Sequence, residues 1–193
     1  GRELEAELGR VANESGLRLF GPNCMGLYVP ESGLSFFPGL SKTSGPVGFI
    51  SHSGSLANIL GRIAADKGIY FSKAVSLGNE CDVTGTDMLN YLANDPETAV
   101  IGGYLESIGD GPAFLKALRA ASRKRPVILW KVGLNPEGRK AASSHTGALA
   151  GRKQIWQAVV RQGGVVPVKG FDRLTDLLMS FSLLPDNLGD RIA

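Results

Sequence analysis

Short apolar segments alternate with helix-forming segments from residue 47 onward, and this alternation constrains the fold more than any other feature. The apolar segments cover residues 47–51, 70–77, 99–105, 126–131 and 165–168. The helical segments cover residues 56–67, 86–93, 113–122, 149–161 and 174–184. Because a strand buried on both faces reads as a continuous apolar run, these repeated strand–helix units predict a parallel sheet with helices on both faces.

The predicted architecture is an α/β domain of the flavodoxin-like type, a doubly wound parallel sheet of five strands over about residues 42–170. Before it, residues 3–14 are rich in helix formers and residues 17–20 predict a short strand. Residues 31–46, rich in Ser, Gly and Pro, predict a connection. Doubly wound sheets bind their ligands beyond the carboxyl ends of the strands, so the candidate site is expected there.

Composition and charge exclude several classes of protein. Hydrophobic residues make up 43% of the 193 residues and charged residues 20%, which excludes a disordered chain. The net charge is only +3 and the one basic run is at 123–125, so no nucleic-acid partner is expected. Cys24 and Cys81 lack metal-type spacing and are interpreted as free thiols in a reducing compartment.

Targeting features are also lacking in the sequence. It contains no apolar run long enough to span a bilayer and no signal segment at its start, so we expect a cytoplasmic protein without a membrane partner. The chain has no initiator Met and begins inside a charged helical pattern. We therefore expect it to be a piece of a larger protein.

One heptapeptide pattern occurs twice, each time after a predicted strand and at the start of a helix. Residues 51–57 read SHSGSLA and residues 144–150 read SHTGALA, and the only two histidines of the protein occupy the second position. Hydroxyl caps, a glycine that admits close approach and the positive end of a helix dipole together favour a phosphate. A single copy is typical of a plain helix cap. Two copies at one end of the sheet indicate a shared phosphate site.

Two further polar segments follow predicted strands. Glu106 directly follows the third strand, where it is either the first solvated residue or a carboxylate that faces a histidine across the edge of the sheet. Such a carboxylate would fix the imidazole tautomer and leave the other ring nitrogen free as a nucleophile. Residues 78–82 follow the second strand and read GNECD, a polar turn with two carboxylates. It is either a metal or ligand loop or a surface turn, and we favour the surface turn.

Five runs resemble the motifs of NDP-forming (ADP-forming) acyl-CoA synthetases, the superfamily of the succinyl-CoA synthetase α subunit. Residues 143–151 (SSHTGALAG) are similar to the phosphohistidine loop of this family. The supporting runs, in the family's order along the chain, are 21–26 (GPNCMG), 47–56 (VGFISHSGSL), 76–82 (SLGNECD) and 104–106 (YLE). Together they extend over nearly the whole chain.

The resemblance implies an acid–CoA ligase that interconverts acyl-CoA, phosphate and ADP with the acid, CoA and ATP through a phosphohistidine. By this resemblance His145 corresponds to the phosphorylated histidine and Glu106 to the carboxylate that supports it. The helix starts that hold the phosphate correspond to Ser53, Gly54, Ser55, Gly147 and Ala148. No metal site is expected within this chain.

The resemblance also implies a domain organisation and partners. Residues 1–40 correspond to the C-terminal remnant of a Rossmann-like CoA-binding domain with its linker, residues 41–170 to the flavodoxin-like CoA-ligase domain, and residues 171–193 to a helix that leads into a further domain. Coenzyme A is expected as a substrate. ATP or ADP with Mg²⁺ is expected on an ATP-grasp domain or subunit outside this chain, and the assembly is expected to be an oligomer.

His52 departs from the family pattern, since relatives usually have Gln or Arg at this position. We interpret it as a polar group at the helix start; the second hypothesis is an imidazole that competes for the phosphoryl group. A non-catalytic module that senses acyl-CoA or phosphate, as in domains fused to protein acyltransferases, stays open as a function. FMN binding is disfavoured because residues 78–85 and 132–148 contain no aromatic side chain, and a serine hydrolase because no G-x-S-x-G occurs.

Overall fold

Six strands form one sheet in the computed structural model, which describes residues 2–134 and 153–184. The strands are β1 Gly26–Tyr28, β2 Val47–Ser51, β3 Phe71–Ser76, β4 Val100–Leu105, β5 Val127–Lys131 and β6 Val166–Pro167. Their order across the sheet is β1-β3-β2-β4-β5-β6. Strands β2 to β6 run parallel, and β1 pairs antiparallel with β3 at one edge.

The helices cover both faces of this sheet. They are α1 Arg2–Glu14, α2 Gly54–Ala64, α3 Gly85–Asn94, α4 Gly111–Ser122, α5 Lys153–Gly163 and α6 Phe171–Leu183, with 3-10 turns at Pro30–Ser32 and Ala65–Lys67. Apolar side chains of α3, α4 and α5 belong to one buried cluster, and those of α2 and α6 belong to the other. No helix in the described ranges is long and apolar enough to cross a membrane.

The flavodoxin-like prediction is confirmed. The order of the five parallel strands, counted along the chain, is 2-1-3-4-5, which is the doubly wound order of that fold. The predicted strand at 126–131 is observed as β5, and the predicted helix at 149–161 is observed from Lys153 onward, the residues before it lying outside the described ranges. The predicted domain boundaries at residues 40 and 170 stay predictions.

The predicted strand at 17–20 is wrong. The main chain of Leu19 is engaged by a loop instead of a strand: its N–H donates to the Asp82 carboxylate over 2.6 Å, and its carbonyl accepts from the N–H of Val83. The Leu17 side chain is exposed. The additional strand is β1, which was missed because its three residues offer too short a pattern to recognise.

Helices α2, α3 and α4 each begin with a side-chain cap close to the carboxyl ends of the strands. The Ser53 hydroxyl accepts from Leu56 N–H at the start of α2, and the Asp110 carboxylate accepts from Ala113 N–H at the start of α4. Thr84 forms a capping box with Asp87 at the start of α3. These caps fix where each helix begins and therefore which main-chain N–H groups face the end of the sheet.

Strands β2 and β4 are neighbours, although β3 lies between them in the sequence. At this point the connections change sides of the sheet, because α2, which follows β2, packs on one face and α3, which leads to β4, packs on the other. Such a switch opens a crevice between the loops that follow the two strands. His52 follows β2 and Glu106 follows β4, so both residues lie at the crevice.

Gly78 allows the loop after β3 to contact the loop at residues 21–26. Its φ is 59°, in the left-handed region, and an added Cβ would clash with the Pro22 carbonyl oxygen and lie 2.6 Å from that of Asn23. Gly68 also has a left-handed φ, of 71°, but an added Cβ there would meet only Leu183 Cδ1 at 4.0 Å. Both glycines therefore need a left-handed φ, but only Gly78 is packed against main-chain atoms.

We expect Gly68→Ala to lower the free energy of unfolding by about 1 kcal/mol, the cost of the left-handed conformation. Gly78→Ala is expected to cost about 3 kcal/mol or more, because a clash with fixed main-chain atoms adds to that cost. Urea denaturation followed by circular dichroism measures both changes. Equal losses in the two variants would contradict the tight contact at Gly78.

Candidate functional site

Two adjoining cavities lie at the carboxyl end of the sheet. The larger, of about 500 Å³, is bounded by the loops after β3 and β4 and by the first turns of α3 and α4. The smaller, of about 320 Å³, is bounded by residues 23–25, the start of α2 and residues 78–79. His52 and Asn79 line both cavities. The site is therefore built around the switch between β2 and β4.

The start of α2 presents free main-chain donors to the smaller cavity. The N–H of Ser53 donates to the Ser51 hydroxyl, and the Ser53 hydroxyl accepts from Leu56 N–H. The N–H groups of Gly54 and Ser55 have no acceptor within the part of the chain that the structure describes. Because these are the first two residues of the helix, their N–H groups also have no intrahelical partner and suit an anion.

Gly54 lets the loop at residues 21–26 approach the start of α2. An added Cβ at Gly54 would clash with Met25 Cγ and lie 3.4 Å from Ser76 Oγ. The same Ser76 hydroxyl accepts from Met25 N–H over 3.1 Å, which ties the loop to the end of β3. Two of the runs on which the family resemblance depends thus meet at one wall of the smaller cavity.

Glu106 is buried and lies where β4 ends. Side chains alternate along a strand, so Glu106 follows Tyr104 on the face covered by α2 and α6, whereas Leu105 packs in the cluster of α3 and α4. Glu106 lines neither of the two cavities. Its carboxylate is close to Tyr104, whose pKa is raised to about 12 by burial and by this negative charge.

Lys131, at the end of β5, is a buried lysine that the sequence analysis missed. Its Nζ donates to the Glu106 carbonyl oxygen over 2.9 Å and to the Val132 carbonyl oxygen over 2.6 Å. Burial lowers the pKa of Lys131 to about 8, although the Glu106 carboxylate favours its charged form. The sequence contained one signal for this role. Lys131 ends the apolar strand β5, and Glu106 follows β4, the strand that pairs with β5.

His52 is buried and contacts the main chain of Glu106 instead of its carboxylate. Its Nδ1 accepts from Glu106 N–H over 3.0 Å and from Ser107 N–H over 3.3 Å. Its Nε2 lies 3.1 Å from Glu80 Oε1, but the angle between the two groups does not allow a hydrogen bond. Among the described residues this buried nitrogen therefore has no hydrogen-bond partner.

These contacts argue against the hypothesis that His52 competes for the phosphoryl group. A nitrogen that accepts two N–H bonds carries no proton, so the proton of the neutral imidazole lies on Nε2, toward Glu80. Neither nitrogen then has a free lone pair with which to attack phosphorus. The interpretation as a polar group at the helix start fits the observed geometry.

The predicted site residues divide into two groups. Ser53, Gly54 and Ser55 lie together at the smaller cavity, with Glu106 one strand away. The predicted residues His145, Gly147 and Ala148 lie outside the described residues. Their roles therefore stay predictions.

Residues 78–82, predicted as a surface turn, form part of the site. Asn79 lines both cavities, and Glu80 lines the larger one with a left-handed φ of 58°. The Oε1 of Glu80 accepts from Gly85 N–H over 2.5 Å at the start of α3. No apolar or repeated pattern distinguishes this loop from a surface turn, and the one available signal was the resemblance of the run at 76–82 to the family.

The fold and site define an α/β protein whose helix α2 presents free main-chain N–H groups at a doubly wound switch point. The family model of the succinyl-CoA ligase like flavodoxin domain matches residues 44–181, and the chain belongs to this family. The family resemblance seen in the sequence is confirmed.

Relatives and solved structures agree with this membership. Acetate–CoA ligase [ADP-forming] I of Archaeoglobus fulgidus is 38% identical over 180 residues, 93% of this chain and 26% of the relative. Acetate–CoA ligase [ADP-forming] II subunit alpha of Pyrococcus furiosus is 35% identical over 193 residues, 100% of this chain and 42% of the relative.

Among solved structures, the dinucleotide forming acetyl-coenzyme A synthetase 1 of Ca. Korarchaeum cryptofilum, in complex with phosphate and ADP, is similar with a TM-score of 0.89. Its sequence is 36% identical, and the match covers 98% of this chain and 41% of that one. The chain thus spans between about a quarter and two fifths of the length of these proteins.

The buried position of Lys131 predicts a pH-dependent stability. A lysine with a folded-state pKa of about 8 and an ordinary value of 10.5 binds fewer protons when folded than when unfolded between these pH values. The free energy of unfolding therefore rises with pH through this window. The full difference corresponds to about 3 kcal/mol.

We expect the wild type to gain about 2–3 kcal/mol of stability relative to Lys131→Met as the pH rises from about 8 to 10.5, because the variant lacks this titration. Urea denaturation of both proteins across the pH range measures the difference, and other titrating groups cancel in the comparison. A stability difference that is constant with pH would contradict a buried, titrating Lys131.

Proposed function

We propose that this chain is the CoA-ligase domain of an ADP-forming acyl-CoA synthetase. One observation carries the proposal: the free N–H groups at the start of α2 and the buried residue Glu106 follow the neighbouring strands β2 and β4 at the same end of the sheet. The names of two relatives, both ADP-forming acetate–CoA ligases, support acid–CoA ligation as the chemistry of this arrangement.

The smaller cavity is the proposed site of the inorganic phosphate. The N–H groups of Gly54 and Ser55 point along the axis of α2, whose dipole favours an anion there. Ser53 supports the site by capping the helix, and its hydroxyl is also close enough to the cavity to line it. Gly147 and Ala148, by the repeated pattern, supply the second helix start to the same phosphate.

The proposed reaction runs in three balanced steps. A phosphate oxygen attacks the thioester carbonyl carbon of acyl-CoA, the C–S bond breaks, and CoA leaves as its thiol with the proton from phosphate. The free nitrogen of His145 then attacks phosphorus, the P–O bond to the acyl group breaks, and the acid leaves as its carboxylate. Finally an oxygen of the ADP β-phosphate attacks phosphorus, the N–P bond breaks, and ATP forms.

Glu106 is the proposed support of the phosphohistidine. A carboxylate that accepts from one ring N–H of His145 fixes the tautomer and leaves the other nitrogen free to attack. It also stabilises the positive charge that the imidazole gains when it takes the phosphoryl group. The hydrogen bond from Lys131 Nζ to the Glu106 carbonyl oxygen fits this role, because it fixes the main chain from which the carboxylate side chain extends.

The proposed enzyme needs parts outside this chain. The Pyrococcus furiosus relative is a subunit alpha of which this chain covers 42%, which supports a partner domain or subunit. That part is the proposed ATP-grasp unit, which would bind ADP or ATP with Mg²⁺ in an oligomeric assembly. Acyl-CoA and phosphate are the proposed ligands of the present chain, and the two free thiols fit a cytoplasmic location.

The test is intact-mass analysis of the full-length protein with its nucleotide-binding part after incubation with acyl-CoA and phosphate. We expect one phosphoryl group that is stable to base and lost in acid. His145→Asn is expected to abolish it. Glu106→Gln, which keeps the size and loses the charge, is expected to slow its formation on the order of 10²-fold.

A control for folding is the thermal unfolding curve of each variant, which should match that of the wild type. Phosphorylation that survives in His145→Asn would contradict the assignment of the nucleophile. No phosphorylation of the wild type from any of several acyl-CoAs, or from ATP with Mg²⁺, would overturn the proposed function in favour of a sensing module.

A further inference from the structure

The imidazole of His52 has no role in the proposed reaction, yet it is buried against the main chain of Glu106. Its ring lies between the loop after β4 and the loop after β3, and it contacts both cavities. The main-chain N–H of His52 donates to the Tyr104 carbonyl oxygen over 3.1 Å, so β2 and β4 remain paired one residue beyond the strand. The side chain extends this pairing past Tyr104.

The Nδ1 of His52 satisfies two main-chain donors that no strand can satisfy. The N–H groups of Glu106 and Ser107 lie at the end of β4, where the ladder with β2 has finished, and both donate to Nδ1. A buried N–H without an acceptor costs about 1–3 kcal/mol. Nδ1 therefore replaces the missing strand partner and holds the turn in one conformation.

Glu80 lies on the other side of the imidazole ring. Its φ of 58° places it in the left-handed region, which is uncommon for a residue other than glycine. Its Oε1 is held by Gly85 N–H at the start of α3 and lies 3.1 Å from Nε2 of His52. The negative oxygen favours the proton on Nε2 and thereby keeps Nδ1 as an acceptor.

The peptide groups on both sides of the Glu106 Cα are thus held by buried side chains. His52 Nδ1 accepts from the N–H of Glu106 over 3.0 Å, and Lys131 Nζ donates to the carbonyl oxygen of Glu106 over 2.9 Å. Since both contacts are to main-chain atoms, neither uses the carboxylate. The carboxylate remains available for a histidine while its point of attachment is fixed.

We propose that His52 is a positioning residue, which directs the Glu106 carboxylate by accepting the N–H groups of Glu106 and Ser107 through Nδ1. This inference rests on the proposed function, because it assigns the contact to the support of a phosphohistidine. Loss of the acceptor is expected to lower the rate of phosphorylation on the order of 10²-fold, the effect of a misplacement of about 1 Å. It is expected to leave the KM for acyl-CoA unchanged.

Two variants of nearly equal size separate the acceptor from the packing. In His52→Asn the Oδ1 takes the position of Nδ1 and can accept the same N–H groups, whereas His52→Leu fills the space without an acceptor. We expect the Asn variant to keep phosphorylation within about threefold of the wild type and the Leu variant to lose it on the order of 10²-fold in kcat. The variants are made in the full-length protein with its nucleotide-binding part.

Hydrogen exchange followed by mass spectrometry gives a second readout that does not need activity. The amides of Glu106 and Ser107 are expected to exchange faster in His52→Leu than in His52→Asn, because only the first lacks their acceptor. If the Leu variant fails to fold, His52→Ala replaces it. Added imidazole is then expected to restore slow exchange of the Glu106 and Ser107 amides and part of the phosphorylation rate.

Equal rates and equal exchange in the Leu and Asn variants would overturn the positioning role, even if the wild type is phosphorylated. A wild type that is never phosphorylated would instead overturn the proposed function. In that case the exchange difference alone decides whether His52 holds the turn, and the absence of a difference would overturn the contact as well.

Discussion

The parallel pairing of β2 with β4 is the constraint on which the rest of the structure depends. It brings together two strands that β3 separates in the sequence, and it places residue 52 beside residue 106. The helices leave this pair toward opposite faces, which opens the crevice that becomes the site. Without the pairing, the start of α2 and Glu106 would not lie at the ends of neighbouring strands. The proposed site is therefore a consequence of strand order.

Side chains hold the main chain around the site through hydrogen bonds. Ser51 and Ser53 fix the start of α2, Ser76 ties the loop at 21–26 to β3, and Lys131 holds the Glu106 carbonyl. Several of these groups are buried polar atoms, whose hydrogen bonds are strengthened by the low dielectric of the interior. Such a frame can keep donors and a carboxylate in place while ligands come and go, which is the requirement of electrostatic catalysis.

Much of the fold could be predicted from the sequence, because buried parallel strands are apolar runs that differ clearly from helical spacing. The SHSGSLA run also indicated correctly that a helix with a hydroxyl cap begins after residue 52, whereas the anion site predicted there stays a prediction. Sequence reasoning failed where tertiary contacts decide the outcome: Leu17 and Leu19 read as a strand but the Asp82 loop engages Leu19. Lys131 was missed, and Glu80 was assigned to a surface turn, for the same reason: the importance of each comes from neighbours distant in the chain.

A crystal structure of the full-length protein, grown with phosphate and without other oxyanions, would show directly whether this edge of the sheet binds phosphate. We expect one phosphate in the cavity of about 320 Å³, with oxygens about 3 Å from the N–H groups of Gly54 and Ser55. We also expect that His145 lies within hydrogen-bond reach of the Glu106 carboxylate. A phosphate bound elsewhere, or a His145 remote from Glu106, would contradict the claim that this edge of the sheet carries the reaction.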